Sequence, residues 1–267
     1  MSKEADRLRL TVLAMGRAAG SGHMGGSLSC AEILNVLYGR VLRVDPARPD
    51  WRERDRFVLS KGHAAPMLYA CLARAGFFGE ELLGTLRELG SPLQGHPCMF
   101  KLPGVDMSTG SLGLGLSVCV GMALALRNTP AHVYALLGDG ELQEGQNWEA
   151  FMSMRAFALQ NMTPIVDLNG VQLDGPTDVV QPAQAALSQK LAGFGIRVFE
   201  VDGHDEGQIE RAVREARNCG EPHAVVAHTV KGKGVSFMEG QAAWHGKPLS
   251  AEDYAAARAE IEGRLMR

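Results

Sequence analysis

The apolar positions of this chain fall into two patterns. In one, aliphatic residues recur at helical spacing: residues 3–19 put Leu8, Val12, Met15 and Ala19 on one face, and Gly20-Ser21-Gly22-His23 then ends the helix. The same spacing predicts helices over 30–38, 64–75, 116–126 and 146–159, and the charged segment 205–217 predicts another. In the second pattern, short aliphatic runs without polar alternation predict strands over 57–59, 133–137, 164–168, 195–201 and 224–230. Strands that are apolar on both faces belong in a parallel sheet covered on both sides. Strand and helix in alternation therefore predict an α/β fold, a doubly wound, three-layer α/β/α sandwich with a mainly parallel sheet, built as one domain over residues 1–267.

The strands at 133–137 and 164–168 frame the stretch richest in chemistry. The first ends in Gly138-Asp139-Gly140, where two glycines let the backbone turn sharply and approach a ligand. Asp139 falls at the carboxyl end of a buried strand, which is where open parallel sheets hold ligands. The second strand runs into Asn169 and a glycine-containing loop. Asp139 and Asn169 are thirty residues apart, close to the length of a βαβ unit that sets two parallel strand ends side by side. A carboxylate, an amide and a loop carbonyl, that of Val171, joined by phosphate oxygens, make a hard-oxygen set suited to magnesium (Mg²⁺) or calcium (Ca²⁺). Gly-Asp-Gly alone also fits a plain turn and Asn169 a left-handed loop residue, so the spacing carries the reading rather than the tripeptide.

With 267 residues, 46% of them hydrophobic, the chain is long enough for a substantial core. A formal net charge of −3 gives no electrostatic case for nucleic acid or an anionic membrane surface. The apolar runs are interrupted well short of a membrane span, and the polar start MSKEADRLRL lacks a signal-peptide core, so a cytoplasmic protein is expected. Cys30, Cys71, Cys98, Cys119 and Cys219 are scattered and form no CxxC pair, which argues against a disulfide frame or a zinc site.

Five further runs complete the picture: Ser21-Gly22-His23, the stretch DRFVLSKGHAAP at 55–66, Gly95-His96-Pro97, Thr109-Gly110-Ser111-Leu112-Gly113, and Thr229-Val230-Lys231-Gly232 followed fourteen residues after Lys231 by His245 in Trp244-His245-Gly246-Lys247-Pro248. Together with the Gly-Asp-Gly…Asn unit, they resemble the transketolase family of thiamine-diphosphate enzymes. The resemblance covers nearly all of this chain but only the amino-terminal part of a full-length member. It implies the thiamine-diphosphate-binding (PP-domain) fold, with thiamine diphosphate and Mg²⁺ or Ca²⁺ as cofactors. Lys61, His63, Lys231 and His245 would face the cofactor, Gly110, Ser111 and Leu112 would pack on it, and Asp139, Gly140 and Asn169 would hold its diphosphate end. The metal ligands would be Asp139, Asn169 and Val171.

The implied reaction is ketol transfer, in which a two-carbon unit leaves a ketose or ketose phosphate for an aldose or aldose phosphate, as in pentose phosphate metabolism. Each step moves a proton to or from a sugar oxygen, and imidazoles, with an ordinary pKa near about 6.5, suit that traffic. The resemblance accordingly assigns His23, His63, His96 and His245 to catalysis, with His23, His96, His245 and Lys247 facing the substrate. Glu144 would help link paired active sites at a subunit interface. His132, His204, His223 and His228 have no such context and read as structural.

No residue here matches the family's catalytic glutamate, which lies on the pyrimidine-binding domain. The expected partner is therefore a carboxy-terminal transketolase subunit carrying that domain, in a heterotetramer with two copies of each chain. Apolar docking surface is expected on the helix after Gly113 and around Trp148, Phe151 and Met154. A dihydroxyacetone synthase or 1-deoxyxylulose-phosphate synthase type of subunit is an alternative, and so is a non-catalytic cofactor-binding protein. Leu114, where the family often has Gln, and Cys98, where an acidic residue is common, depart from the pattern.

Overall fold

Each predicted aliphatic run becomes a strand of one sheet, and the strands line up so that their side chains share rows. The computed structural model describes residues 2–184 and 186–267. Its strands are β1 (Arg56–Leu59), β2 (Val133–Gly138), β3 (Met162–Leu168), the two-residue pair β4 (Val171–Gln172) and β5 (Gly175–Pro176), β6 (Arg197–Asp202) and β7 (His223–His228). The main sheet has the order β1-β2-β3-β7-β6 with every pairing parallel. One register row runs Leu59, Leu136, Ile165, Val225, Phe199 across all five strands. That row faces one apolar core, whereas Val58, Ala135, Leu137 and Val226 face a second on the opposite side. Burial on both faces is why the sequence shows unbroken runs and not alternation.

The first core is closed by α1 (Lys3–Ala19), α2 (Met24–Ser29), α3 (Ala31–Val36), α4 (Ala65–Arg74), α9 (Glu206–Asn218) and α10 (Ala251–Leu265). The second is closed by α5 (Leu114–Leu126), α6 (Gly145–Ala156) and α8 (Leu187–Gly193), with the short α7 (Thr177–Val180) beyond β5. The result is the predicted α/β/α layering. Among the described residues, no helix is long and apolar enough to cross a membrane.

The differences from the sequence reading are local. The helix predicted over 30–38 is α3, which widens into a π-type turn at Leu37–Val41. The strand predicted over 195–201 begins later, because Gly195 has φ of 75° and turns the chain before it. The strand predicted over 224–230 starts at His223 and stops at His228, so Thr229 and Val230 already belong to a loop above the sheet. α10 was missed, although Ser250 and Asp253 form a reciprocal capping box, with Asp253 N donating to Ser250 Oγ at 3.0 Å and Ser250 N to Asp253 Oδ2 at 3.3 Å.

A buried ion pair locks α1 to α3. Arg9 donates to both oxygens of Glu32, at 2.9 and 2.7 Å, and both side chains are fully buried. Burial alone would raise the Glu32 pKa, but the hydrogen bond with His204 and the Arg9 charge outweigh it and hold the carboxyl down at about 2. Because the folded pKa lies below the ordinary value of 4.5, the stabilisation from Glu32 is full above pH 4.5 and is lost as pH falls toward 2. Glu32→Gln is expected to lower stability by about 1.5–3 kcal/mol at neutral pH, since it removes the bidentate partner of the buried Arg9 guanidinium and leaves it only the Asp6 carboxylate, 3.3 Å away. Urea unfolding measures it, and a loss under about 1 kcal/mol would show that the pair is not a lock.

Candidate active site

Parallel strands deliver their carboxyl ends to one edge of the sheet, and four loops meet there. β1 runs into Ser60-Lys61-Gly62-His63, β2 into Asp139-Gly140-Glu141, β3 into Asn169-Gly170, and β7 into Thr229-Val230-Lys231. The turn between α1 and α2 adds His23, and the loop before α10 adds His245. The four loops and His245 border a cavity of about 200 Å³ lined by Lys61, His63, Asp139, Asn169, Lys231 and His245, with Leu112, Gly140 and Val171 also on its wall.

Two glycines on α2 allow this convergence. A β-carbon at Gly25 would lie 2.9 Å from the Trp244 carbonyl oxygen, and one at Gly26 would lie 3.1 Å from His63 Nε2. The helix therefore fits between the loops that carry His63 and His245 only because both positions lack side chains.

Four imidazoles predicted from separate motifs form one cluster. The His23 ring centroid lies 5.5 Å from His63, 6.3 Å from His96 and 5.3 Å from His245, and His63 and His245 are 5.2 Å apart. Burial, followed by the Arg87 charge, lowers the His23 pKa to about 4. Burial, followed by Lys231, lowers that of His245 to about 4 as well. His63 is held well below its ordinary value by burial and then Lys61, and His96 is lowered by burial and then Arg87. All four rings are thus neutral at physiological pH. His23 Nδ1 is buried without a hydrogen-bond partner.

The lysines are anchored differently. Lys61 is buried, donates to the Gly26 carbonyl at 2.9 Å and pairs with the Asp167 carboxylate. Ser29 Oγ donates to the same carboxylate at 2.6 Å, and Thr229 donates to its other oxygen. Lys231 Nζ donates to the Val171 carbonyl and to His245 Nδ1, each at 2.9 Å. With Nδ1 accepting, neutral His245 carries its proton on Nε2. Burial, followed by the Lys61 charge, brings the Lys231 pKa down to about 8.

Asp139 is buried, and its oxygens accept from Gly140 N at 2.8 Å and Gly170 N at 2.7 Å. Burial and then the Asp167 charge nevertheless raise its pKa to about 6. Asn169 Oδ1 accepts from Val171 N at 3.1 Å. These hard oxygens fit a divalent cation: each bonded oxygen retains a lone pair, and the raised Asp139 pKa marks a carboxylate short of positive charge.

Sequence reasoning missed Asp167 and Glu141. Asp167 was read as part of a strand, yet it is the counter-ion of Lys61. Glu141 is buried and accepts from Ser60 Oγ, from Gly113 N at 3.0 Å and from Gly138 N at 3.1 Å, so one carboxylate in the loop after β2 ties the end of β2 to the loop after β1 and to the start of α5. A carboxylate inside an apolar run at 164–168, and another directly after Gly-Asp-Gly, were the available signals.

Other predicted site residues lie at the rim. Gly110 backs onto His96, where a β-carbon would come within 3.2 Å of the ring, while Ser111 is exposed. Glu144 is exposed at the start of α6, against Gly113, and is not part of the histidine cluster. Lys247, expected to face the substrate, instead places Nζ 4.1 Å above the Trp244 ring and 3.7 Å from Asp253. The remaining histidines bond elsewhere: His204 to Glu32, His132 and His223 to Thr163, and His228 to Glu200.

Residues 1–263 match the family described as transketolase, thiamine diphosphate binding domain. The chain belongs to the transketolase family. It is 45% identical over 257 residues to the 6-deoxy-6-sulfo-D-fructose transketolase subunit SqwG of Clostridium sp. (strain MSTE9), covering 95% of this chain and 93% of that one. It is 41% identical over 268 residues to an apulose-4-phosphate transketolase subunit of Phocaeicola vulgatus, covering 99% and 94%. Transketolase from Leishmania mexicana superposes with a TM-score of 0.92 at 33% identity, covering 98% of this chain but 41% of that one. This transketolase-family chain thus matches the named subunits almost end to end and spans about two fifths of that undivided enzyme.

Proposed function

We propose that this chain is the thiamine-diphosphate-binding subunit of a two-chain transketolase that moves a two-carbon ketol unit from a ketose to an aldose. The observation that carries the reading is the cluster of four neutral imidazoles, each within 5.2–6.3 Å of another, beside a cavity edged by Asp139 and Asn169. The names of its relatives, transketolase subunits, support the same reading.

Asp139, Asn169 and the Val171 carbonyl would hold a divalent cation, Mg²⁺ or Ca²⁺, which would neutralise a diphosphate. Thiamine diphosphate, when bound, supplies the carbon nucleophile that a ketol transfer needs. The chain's own residues orient the sugar and move its protons. His245 presents Nε2–H to a sugar oxygen, with Lys231 fixing the ring by its hydrogen bond to Nδ1. His23 offers its unpartnered Nδ1, and His63 and His96 complete a set of neutral groups able to accept or return a proton. Lys231 is the less committed cation, because the charge of Lys61 is offset by Asp167.

The partner in this proposal is a carboxy-terminal chain carrying the pyrimidine domain, with two copies of each chain in the assembly.

His245→Ala and His23→Ala are expected to lower the rate of ketol transfer by about 10²–10⁴-fold while leaving most cofactor bound. Steady-state kinetics alongside cofactor titration of the assembled enzyme separates these effects. If His245→Ala loses cofactor and the remaining holoenzyme turns over normally, the catalytic role is wrong.

A further inference from the structure

The cavity is, by its own charges, a weak receptor for a diphosphate. Its wall carries two lysines, Lys61 and Lys231, against two carboxylates, Asp139 and Glu141. A third carboxylate, Asp167, is fully buried and ion-paired with Lys61. Asp139 is a candidate cation ligand, and Glu141 holds the loop after β1 and the start of α5 to the end of β2. Neither role accounts for Asp167.

Asp167 is held so that its charge stays on Lys61. Its Oδ2 accepts from Lys61 Nζ and from Ser29 Oγ at 2.6 Å, and its Oδ1 accepts from Thr229 Oγ1. Donors from the loop after β1, from α2 and from the loop after β7 thus fix one carboxylate. Lys61 gives a second hydrogen to the Gly26 carbonyl at 2.9 Å, which leaves one N–H for the cavity. Lys231, by contrast, reaches a carbonyl and an imidazole, and among the described residues it pairs with no carboxylate. In a dry interior, charges act strongly over short distances, so a phosphate drawn to Lys61 is repelled almost as strongly by the carboxylate bonded to it.

The geometry points to Asp167 as the residue that makes phosphate binding in this cavity conditional on a divalent cation. By cancelling Lys61 it keeps the wall from holding a diphosphate on lysine charge alone, so a cation at Asp139 becomes necessary. Asp167 is a positioning residue: it acts through Lys61 and touches no phosphate. The inference rests on the reading of the cavity as a diphosphate site and adds the side chain that sets its dependence on the cation.

The test is calorimetry of thiamine diphosphate and of inorganic diphosphate on the assembled enzyme, wild type and Asp167→Asn, with Mg²⁺ and with a chelator. With the chelator, Asp167→Asn is expected to bind both ligands about 10–100-fold more tightly than the wild type, the contribution of a charge-assisted hydrogen bond from Lys61. Substituting a residue that only shaped the site would weaken binding in both conditions. That result, or equal binding by the two proteins in the chelator, overturns the inference. Adding Lys61→Met to Asp167→Asn removes the freed charge and should abolish the gain. The double variant also lacks a buried unpaired lysine, so it decides the matter where Asp167→Asn alone does not fold. With the chelator its affinity should stay within about threefold of the wild type, whereas a loss of about tenfold or more would show that Lys61 already serves the phosphates and would overturn the inference. Tighter binding of inorganic diphosphate by Asp167→Asn supports the inference even where the enzyme carries out no ketol transfer.

Discussion

Asp139→Ala is expected to abolish cation-dependent binding of thiamine diphosphate, weakening it by at least about 100-fold. Two features of the site set that size. The Lys61 charge is already balanced by Asp167, so without Asp139 and its cation a diphosphate would meet Lys231 nearly alone. A highly charged group brought to a partly buried site without a counter-ion loses several kcal/mol of hydration that nothing replaces. Asp139→Asn separates charge from shape, since the amide retains the volume and one acceptor; it too should lose the dependence on Mg²⁺. Asp139 also carries a pH signature. Its folded pKa, about 6, lies above the ordinary 3.8. Its contribution to the stability of the cofactor-free chain is therefore full below pH 3.8 and is lost as pH rises through 6. A shift of that size corresponds to about 3 kcal/mol, so the cofactor-free Asp139→Asn chain should show a flatter stability profile between pH 4 and 7. Calorimetry on the assembled enzyme with Mg²⁺ and with a chelator measures the binding. Unchanged cofactor affinity in Asp139→Ala would sink the metal assignment.

Asp139 and Asn169 were legible in the sequence because a βαβ unit has a nearly fixed length, and two polar residues at that spacing must reach neighbouring strand ends. The strands themselves were legible because burial on both faces leaves unbroken aliphatic runs, and the register row through Leu136 and Ile165 requires just that. Charge inside the core was not legible. Asp167 and Glu141 look like ordinary surface residues until the partners that neutralise them or donate to them are known, and those partners come from distant loops. α2 was hidden for a related reason. Gly25 and Gly26 are poor helix formers, and their helix exists because tertiary packing demands the space that glycine leaves. The apolar surface expected around Trp148 was also misread. Phe151 and Met154 are fully buried, Trp148 is partly buried, and Met152, next to Phe151, is the exposed large apolar residue of that helix. Aliphatic content told that α6 packs; only its rotation about its axis told which side is free.

Purified alone with thiamine diphosphate and Mg²⁺, the chain is expected to show no ketol transfer, and adding a chain that carries the pyrimidine domain is expected to restore it. The argument begins with α5. Its side chains are almost wholly apolar, yet Leu114 and Val118 are 41% and 39% exposed. A helix apolar all round belongs in an interior, so the outward stripe calls for a cover. The stripe starts where the site ends: Gly113, which begins the helix, donates to Glu141, and a β-carbon there would sit 2.6 Å from Glu144 Cβ. A partner laid on α5 would thus reach the mouth of the cavity and close over whatever Asp139 and Lys231 hold. Interfaces of this obligate kind bury roughly 2,000 Å² or more, which a single exposed stripe cannot supply without the loops around it. Leu114→Glu should therefore weaken assembly at least about tenfold, by forcing a charge into the covered face, while leaving the fold of the isolated chain intact. Analytical ultracentrifugation of mixed chains reads assembly, and activity on titration with partner reads function. Ketol transfer by the isolated chain at the rate of the assembled enzyme would show that the half-site argument is mistaken, and full assembly of Leu114→Glu would move the interface off α5.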